Sequence, residues 1–214
     1  MSIVVAAIDV GSLLNIGWWR AQGSAGLGGH DLDELVASIV ADINDGTPVA
    51  LGFEAPLFIP RPSTTDGLNK QRLGERGRPW CAGAGTGALA LGIQQATYVL
   101  SGIALGVGRK VEVSFDPEAL TAGTAQLLIW EAFVTGKAKN RSSLTPHVDD
   151  ARAAVTELQL RFDSGSVSSD LADVDVLSLA ATALLVSGLT DDVALLTLPC
   201  VVVRAPDYVD GSEV

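Results

Sequence analysis

The stretch VVAAIDVGSLLNIGWW, Val4–Trp19, decides the fold, because two apolar runs meet there at a Gly-Ser turn. The first run is rich in Ile and Val and predicts a buried strand over residues 2–9. The second run predicts a strand over residues 15–22 that forms a hairpin with the first. One carboxylate, Asp9, ends the first strand, although burying an unpaired charge costs about several kcal/mol. Asp9 therefore either caps the turn or serves a bound group.

The composition is that of an acidic globular protein. The 214 residues include 14 basic and 25 acidic side chains, a net charge of −11, and 48% of the residues are hydrophobic. This apolar content is enough for a sizeable core, and since we find no linker or repeat, we predict one domain over residues 1–214. The negative charge argues against non-specific nucleic-acid binding. The oligomeric state cannot be inferred from the sequence.

Targeting and cysteine patterns indicate a cytoplasmic protein. No apolar run reaches the length of a transmembrane helix, so we expect no membrane association. The N-terminus lacks the basic region and cleavage site of a signal peptide. Cys81 and Cys200 are far apart in sequence and have neither a disulfide framework nor metal-ligand spacing, which favours two buried thiols.

Hydrophobic periodicity predicts an α/β fold with a mixed sheet and helices on both faces. After the hairpin, and a loop or short third strand, we expect a helix over residues 31–45, a strand at Val49–Phe53 and a long loop over 55–85. Loops of this length are usually functional or disordered. The remaining elements are predicted to be an apolar helix, a strand, an amphipathic helix, a second apolar helix and a final strand or extended pair, at residues 86–106, 125–136, 146–162, 169–188 and 192–206.

Three further acids share the unusual placement of Asp9 in apolar elements. Glu54 ends a predicted strand, Glu131 interrupts another, and Asp175 lies one turn into the helix predicted over 169–188. Converging carboxylates form the oxygen-rich site that Mg²⁺ prefers, and such ions can activate water in phosphodiester cleavage. Because acids at strand ends are also common turn formers, the spacing alone leaves both interpretations open.

Short motifs surround these acids and span most of the chain: Asp9 with Gly17-Trp18, the stretch Glu54-Ala55-Pro56-Leu57, the loop GERGRPWCAGAG at residues 74–85, Glu131 and Asp175. Together they resemble a family of predicted RNase-H-like nucleases that is distantly similar to the RuvC-type Holliday-junction resolvases. The resemblance implies an RNase-H-like mixed sheet and a divalent-metal-dependent nuclease or phosphodiester hydrolase. It implies that Asp9, Glu54 and Asp175 bind Mg²⁺ or Mn²⁺, with Glu131 as an additional catalytic candidate. In the resolvases a second helix acid lies three positions before the last one, where this chain has Ala172.

Two local basic segments could bring an anionic substrate to these acids. Five of the 14 basic residues lie between positions 61 and 78, and three more lie in GKAKNR, residues 136–141. We predict that Arg76 and Arg78 bind phosphate and that Trp80 stacks on a base, so that nucleic acid binds through this loop. We expect residues 61–80 to form a mobile flap on the same face as the acids. Ordinary solvated loop charges are the alternative.

Other functions remain open. A non-catalytic domain that binds a partner or small anion would also fit the acidic composition and the imperfect acid set. The stretch DVGS, residues 9–12, resembles the first phosphate motif of actin-like sugar kinases, which would imply ATP-dependent phosphotransfer. GAGTGALALG, residues 83–92, follows an Arg-rich loop rather than a strand, so it fits a phosphate-binding helix start better than a dinucleotide motif. His147, beside Asp149 and Asp150, could be a metal or base group, although a helix cap is the ordinary interpretation.

Overall fold

The computed structural model describes residues 2–75, 79–134 and 143–207. The strands are β1 (Val4–Asp9), β2 (Gly17–Gln22), β3 (Ala25–Gly29), β4 (Val49–Phe53), β5 (Phe58–Pro60), β6 (Val113–Ser114), β7 (Leu127–Phe133), β8 (Val176–Ser178) and β9 (Val201–Arg204). The α-helices are α1 (Leu32–Asn44), α2 (Ala84–Val107), α3 (Pro117–Thr121), α4 (Pro146–Asp163) and α5 (Leu179–Ser187). Short 3₁₀ turns occur at Thr65–Gly67 and Val193–Thr197.

Seven strands form one mixed sheet in the order β3-β2-β1-β4-β7, with β6 and β9 both pairing with β7. The predicted hairpin is present, since β1 pairs antiparallel with β2, and β2 continues antiparallel into β3. From β1 the sheet continues with parallel pairs, first to β4 and then to β7. The predicted α/β class with a mixed sheet is therefore confirmed. A separate two-stranded sheet pairs β5 with β8.

Helices cover both faces of the large sheet. One core packs residues of α1, α2 and α5 against the sheet, and the other packs residues of α4 against the opposite face. Because side chains alternate along a strand, Ile8 of β1 belongs to the first core and Ala7 to the second. The same alternation decides which way each acid at the end of a strand points.

The largest departure from the sequence-based prediction lies in the last apolar segment. The helix predicted over 169–188 is helical only in its second half, because the backbone before it forms β8 and pairs with β5. Ser178 then caps α5, its hydroxyl accepting from the N–H of Ala181 at 3.2 Å. Asp175 consequently precedes a strand rather than lying within a helix.

Helix α2 has 24 residues and, alone among the described helices, is long and apolar enough by composition to cross a membrane. That property departs from the expectation that no segment reaches transmembrane length. The helix packs against α1 and α5, and its buried residues include Val99, Leu100 and Ile103. Core helices of globular proteins also pass this test of length and composition, so the test alone does not establish a membrane-spanning segment.

Helix α4 approaches the β1–β2 hairpin closely because Gly17 has no side chain. A Cβ atom built on Gly17 would lie 2.5 Å from the carbonyl carbon of His147 and 2.6 Å from the backbone nitrogen of Val148. Gly17 is also the residue that pairs with Asp9 in the hairpin. This contact therefore fixes the first turn of α4 beside the end of β1.

We expect Gly17→Ala to lower the free energy of unfolding by about 1–3 kcal/mol, because the new methyl group overlaps the α4 backbone. Gly87→Ala in α2 is the matched control, since nothing lies within 4 Å of a Cβ built there. The control should leave stability unchanged or raise it by up to about 1 kcal/mol. Urea denaturation measures both, and equal stability of the two variants would contradict the close contact.

Candidate metal site

Asp9 and Glu54 lie side by side at one edge of the sheet. They follow the parallel neighbours β1 and β4, in which Ile8 is paired with Phe53. The N–H of Glu54 extends this pairing by donating to the carbonyl of Ile8 at 2.7 Å. Since Asp9 and Glu54 each follow a residue of the α1/α2/α5 core, strand alternation directs both side chains toward α4.

Helix α4 contributes a third carboxylate, Asp150. One oxygen each from Asp9, Glu54 and Asp150 lies within 4.8 Å of the others, and both aspartates are buried. Carboxylate oxygens are the donors that Mg²⁺ and Mn²⁺ favour, so this set fits such a cation. The sequence contains a signal for Asp150, because Ala154 and Leu158 follow it at helical spacing and are buried. An acid at a core position of an amphipathic helix is the pattern that could have identified it.

His147 completes the cluster on the same face of α4, three residues before Asp150. Its Nδ1 lies 2.5 Å from Oδ2 of Asp9, a contact in which the ring donates and the carboxylate accepts. The histidine side chain is 30% exposed and the aspartate side chain only 6% exposed, so the imidazole is the more accessible group. The contact orients the Asp9 carboxylate, and imidazole is a common metal ligand in proteins.

The structure does not bring Asp175 to Asp9 and Glu54, contrary to the expectation from sequence. Asp175 directly precedes β8 of the small sheet, and its carboxylate accepts from Nε of Arg61 at 2.8 Å. Both side chains of this ion pair are about half exposed, at 49% and 59%. The physical reason is the pairing of β8 with β5, which draws this segment into a separate sheet.

Glu131 lies at the same sheet edge but outside the carboxylate cluster. In β7 it shares the parity of Leu127 and Ile129, which belong to the α1/α2/α5 core, so it points away from α4. Its carboxylate is buried and accepts from Nη1 and Nη2 of Arg72 at 2.6 and 2.8 Å. It also accepts from the N–H of Leu57 at 2.9 Å. The predicted additional catalytic candidate is thus engaged in a buried network.

Arg72 connects Glu131 to a second buried carboxylate, Glu75. Nη2 and Nε of Arg72 donate to Oε1 of Glu75 at 2.8 and 3.1 Å. Burial alone lowers the pKa of Arg72, but the charges and hydrogen bonds of Glu131 and Glu75 outweigh burial and leave that pKa above its ordinary value. Burial also raises the pKa of the Glu131 carboxyl, and Arg72 offsets part of that rise.

For the described residues around Arg72, this network corrects the prediction that residues 61–80 form a mobile flap rather than part of the core. Arg72 and Glu75 are buried, and Leu73 forms a β-bridge with Ala172. The residues that are predicted to contact substrate, Arg76, Arg78 and Trp80, follow Glu75 in the sequence. Trp80 is half-buried and donates from Nε1 to the carbonyl of Lys70 at 2.8 Å.

Several predicted substrate contacts lie outside the described residues. These are Arg76 and Arg78 of the first basic segment, and Lys137, Lys139 and Arg141 of the second. Within the described part of the first segment, Arg61 and Arg72 are already paired with carboxylates. The expectation that both basic segments share a face with the acids therefore remains a prediction.

A cleft of about 450 Å³ opens over the acids. Four of its lining residues are acidic, and the backbone at the start of α2 forms another part of the wall. The acids and the histidine that line it are Asp9, Glu54, Glu75, Glu131 and His147. This volume is within the range of sites that bind small molecules or single substrate units.

Comparison of the chain with protein-family models, curated proteins and solved structures finds no match in any of the three. The chemistry available at the site is that of three carboxylates and an imidazole beside an open cleft. Such a donor set can bind a hard divalent cation and place it next to a substrate.

We expect Arg72→Met to lower the free energy of unfolding by about 3–5 kcal/mol, because it leaves two buried carboxylates without their cation. Arg61→Met is the matched control, since it breaks an exposed ion pair and should cost less than about 1 kcal/mol. Chemical denaturation distinguishes the two. Equal losses would show that the buried network contributes no more than a surface pair.

Proposed function

We propose that this chain is a divalent-metal-dependent phosphodiester hydrolase of RNase-H-like fold, acting as a nuclease. The observation that supports this proposal is that one carboxylate oxygen each of Asp9, Glu54 and Asp150 lies within 4.8 Å of the others, although the three residues are far apart in the sequence. Three carboxylate oxygens at this separation can coordinate one divalent cation together. A metal-binding role accounts for retaining them together.

The arrangement of the fold also supports the proposal. An antiparallel hairpin is followed by parallel strands, and the acids lie at the carboxyl ends of β1 and β4. In the RuvC-type resolvases, to which the resembled family is distantly similar, a late helix has two acids three positions apart. On α4, His147 and Asp150 have that spacing, and we infer that Asp150 takes the ligand role expected of Asp175 while His147 contacts Asp9.

In this proposal Asp9, Glu54 and Asp150 bind Mg²⁺ or Mn²⁺. The bound ion would polarise a phosphoryl oxygen and lower the pKa of a water molecule. His147 keeps the Asp9 carboxylate oriented through Nδ1. Glu131 is assigned no direct contact with the ion, because Arg72 and Leu57 already occupy its oxygens.

Neutralising Asp150 tests the metal site directly. We expect Asp150→Asn to lower Mn²⁺ affinity at least about tenfold, because one of three charged ligands becomes neutral. Asp149→Asn is the matched control, since the neighbouring carboxylate contacts Ser143 and is not part of the cluster. Asp175→Asn tests the sequence-based assignment and should also retain wild-type affinity.

Isothermal titration calorimetry with Mn²⁺ measures all three variants. A loss of affinity in Asp175→Asn with none in Asp150→Asn would restore the assignment from sequence. Absence of Mn²⁺ binding to the wild-type chain would contradict the metal-dependent function itself.

Substrate binding must overcome the acidity of the cleft. Because Arg61 and Arg72 are paired with carboxylates, we assign phosphate binding to Arg76 and Arg78, with Trp80 stacking on a base. Two arginines can make only a few phosphate contacts. We therefore expect short, flexible or branched nucleic acids to bind better than long duplexes.

Replacing both Arg76 and Arg78 with Ala should weaken nucleic-acid binding and reduce the slope of log K against log salt by about 2 on duplex DNA. Mn²⁺ affinity should stay unchanged, because the arginines bind phosphate and the carboxylates bind metal. Arg61→Ala is the control and should leave the slope unaltered. The assay titrates salt against single-stranded, duplex and branched DNA and RNA, with Ca²⁺ in place of Mg²⁺ to suppress cleavage. No binding to any of them at low salt would favour a non-catalytic domain that binds a partner or small anion.

A further inference from the structure

We propose that Glu131 is a positioning residue for the metal site, which fixes the segment Glu54–Leu57 and thereby the ligand Glu54. The proposal rests on the proposed function, since it assigns Glu54 to the metal. Glu131 does not contact the substrate or the ion in this assignment. It acts on Glu54 through the backbone of the three residues that follow.

At each end of the segment Glu54–Leu57, a backbone N–H group donates a hydrogen bond that fixes its position. At its start the N–H of Glu54 donates to Ile8 at 2.7 Å, next to Asp9. At its end the N–H of Leu57 donates to Oε2 of Glu131 at 2.9 Å. Pro56, between the two, restricts the backbone further.

Packing limits the segment on its other sides. Ala55 is buried against α2, where a Cβ built on Gly92 would lie 2.3 Å from the Cβ of Ala55. The carbonyl of Leu57 accepts from the N–H groups of Leu179 and Ala180, at 2.8 and 3.0 Å. Several contacts therefore hold the segment Glu54–Leu57 in place. The carboxylate of Glu131 provides the one that comes from β7.

Charge balance indicates that Glu131 does more than neutralise Arg72. Glu75 already provides a buried counter-ion, so the three side chains contain one guanidinium and two carboxylates, and one net negative charge. A second buried carboxylate carries a desolvation cost that the ion pair only partly offsets. Oε2 of Glu131 accepts simultaneously from Arg72 and Leu57, which links the buried ion pair to the segment that presents Glu54.

Two substitutions at position 131 separate positioning from bulk packing. Glu131→Met keeps the length of the side chain but removes the acceptor for the N–H of Leu57. Glu131→Gln keeps one acceptor oxygen, so the bond to Leu57 can persist while the fork with Arg72 is reduced to one contact. The matched control is Asp170→Leu, because Oδ2 of Asp170 also accepts from an arginine, Arg161, and from a backbone N–H, that of Arg204, and does not line the cleft.

Mn²⁺ affinity is measured by calorimetry at a temperature where every variant is folded. We expect Glu131→Met to weaken Mn²⁺ binding about 10–100-fold and Glu131→Gln to weaken it less than about tenfold, as for other groups that orient metal ligands. Asp170→Leu should leave the affinity unchanged despite a similar loss of hydrogen bonds. Wild-type affinity in Glu131→Met, or an equal loss in Asp170→Leu, would overturn the positioning role.

A measurement on the wild-type chain covers the case in which Glu131→Met does not fold. The amide of Leu57 should exchange with solvent as slowly as that of Phe53 in β4, because its acceptor is a buried carboxylate. Exchange at the rate of an exposed loop would overturn the proposal. Failure of the proposed function can be told apart from failure of this inference. If the proposed function is wrong, the wild-type chain does not bind Mn²⁺. If only the positioning role is wrong, the wild-type chain still binds Mn²⁺.

Discussion

The parallel pairing of β1, β4 and β7 is the constraint on which the site depends. It brings the carboxyl ends of three strands to one edge of the sheet, with Ile8 beside Phe53 and Phe53 beside Glu131. Strand alternation then sorts the acids at this edge. Asp9 and Glu54 turn toward α4 and meet Asp150, whereas Glu131 turns to the opposite face and meets Arg72. One register thus produces both a carboxylate cluster and a buried ion-pair network.

The two groups of acids are stabilised differently. Arg72 neutralises one of the two carboxylates in its network and donates from every nitrogen of its guanidinium. In the cluster facing α4, His147 contacts Asp9, and one oxygen each of Asp9, Glu54 and Asp150 lies within 4.8 Å of the others. A divalent cation can be shared by oxygens at this separation, and its binding to the folded chain would stabilise the fold. The contrast explains why we assign metal binding to one group and positioning to the other.

The described part of the long segment after β4 is anchored to the rest of the fold around Arg72. Its Arg72 reaches a carboxylate on β7, 59 residues later, and Leu73 pairs with Ala172. A buried arginine whose donors are all matched is far costlier to expose than a solvated one, because its departure would leave Glu131 and Glu75 uncompensated. The composition of this segment, rich in Pro, Gly and Arg, is typical of mobile loops, and the burial of one arginine reverses that expectation.

The sequence by itself determined the local elements and half of the site. Strands β1, β4 and β7 and helices α1, α2 and α4 follow from apolar periodicity, and Asp9 and Glu54 were identifiable because an acid directly at the end of a buried strand is conspicuous. Only the tertiary structure decided that Asp150, and not Asp175, joins them, because that choice depends on which helix packs beside β1 and on the space left by Gly17. It also decided that Arg72 is buried, since the partners that stabilise its charge come from distant positions and no local pattern of hydrophobicity encodes them.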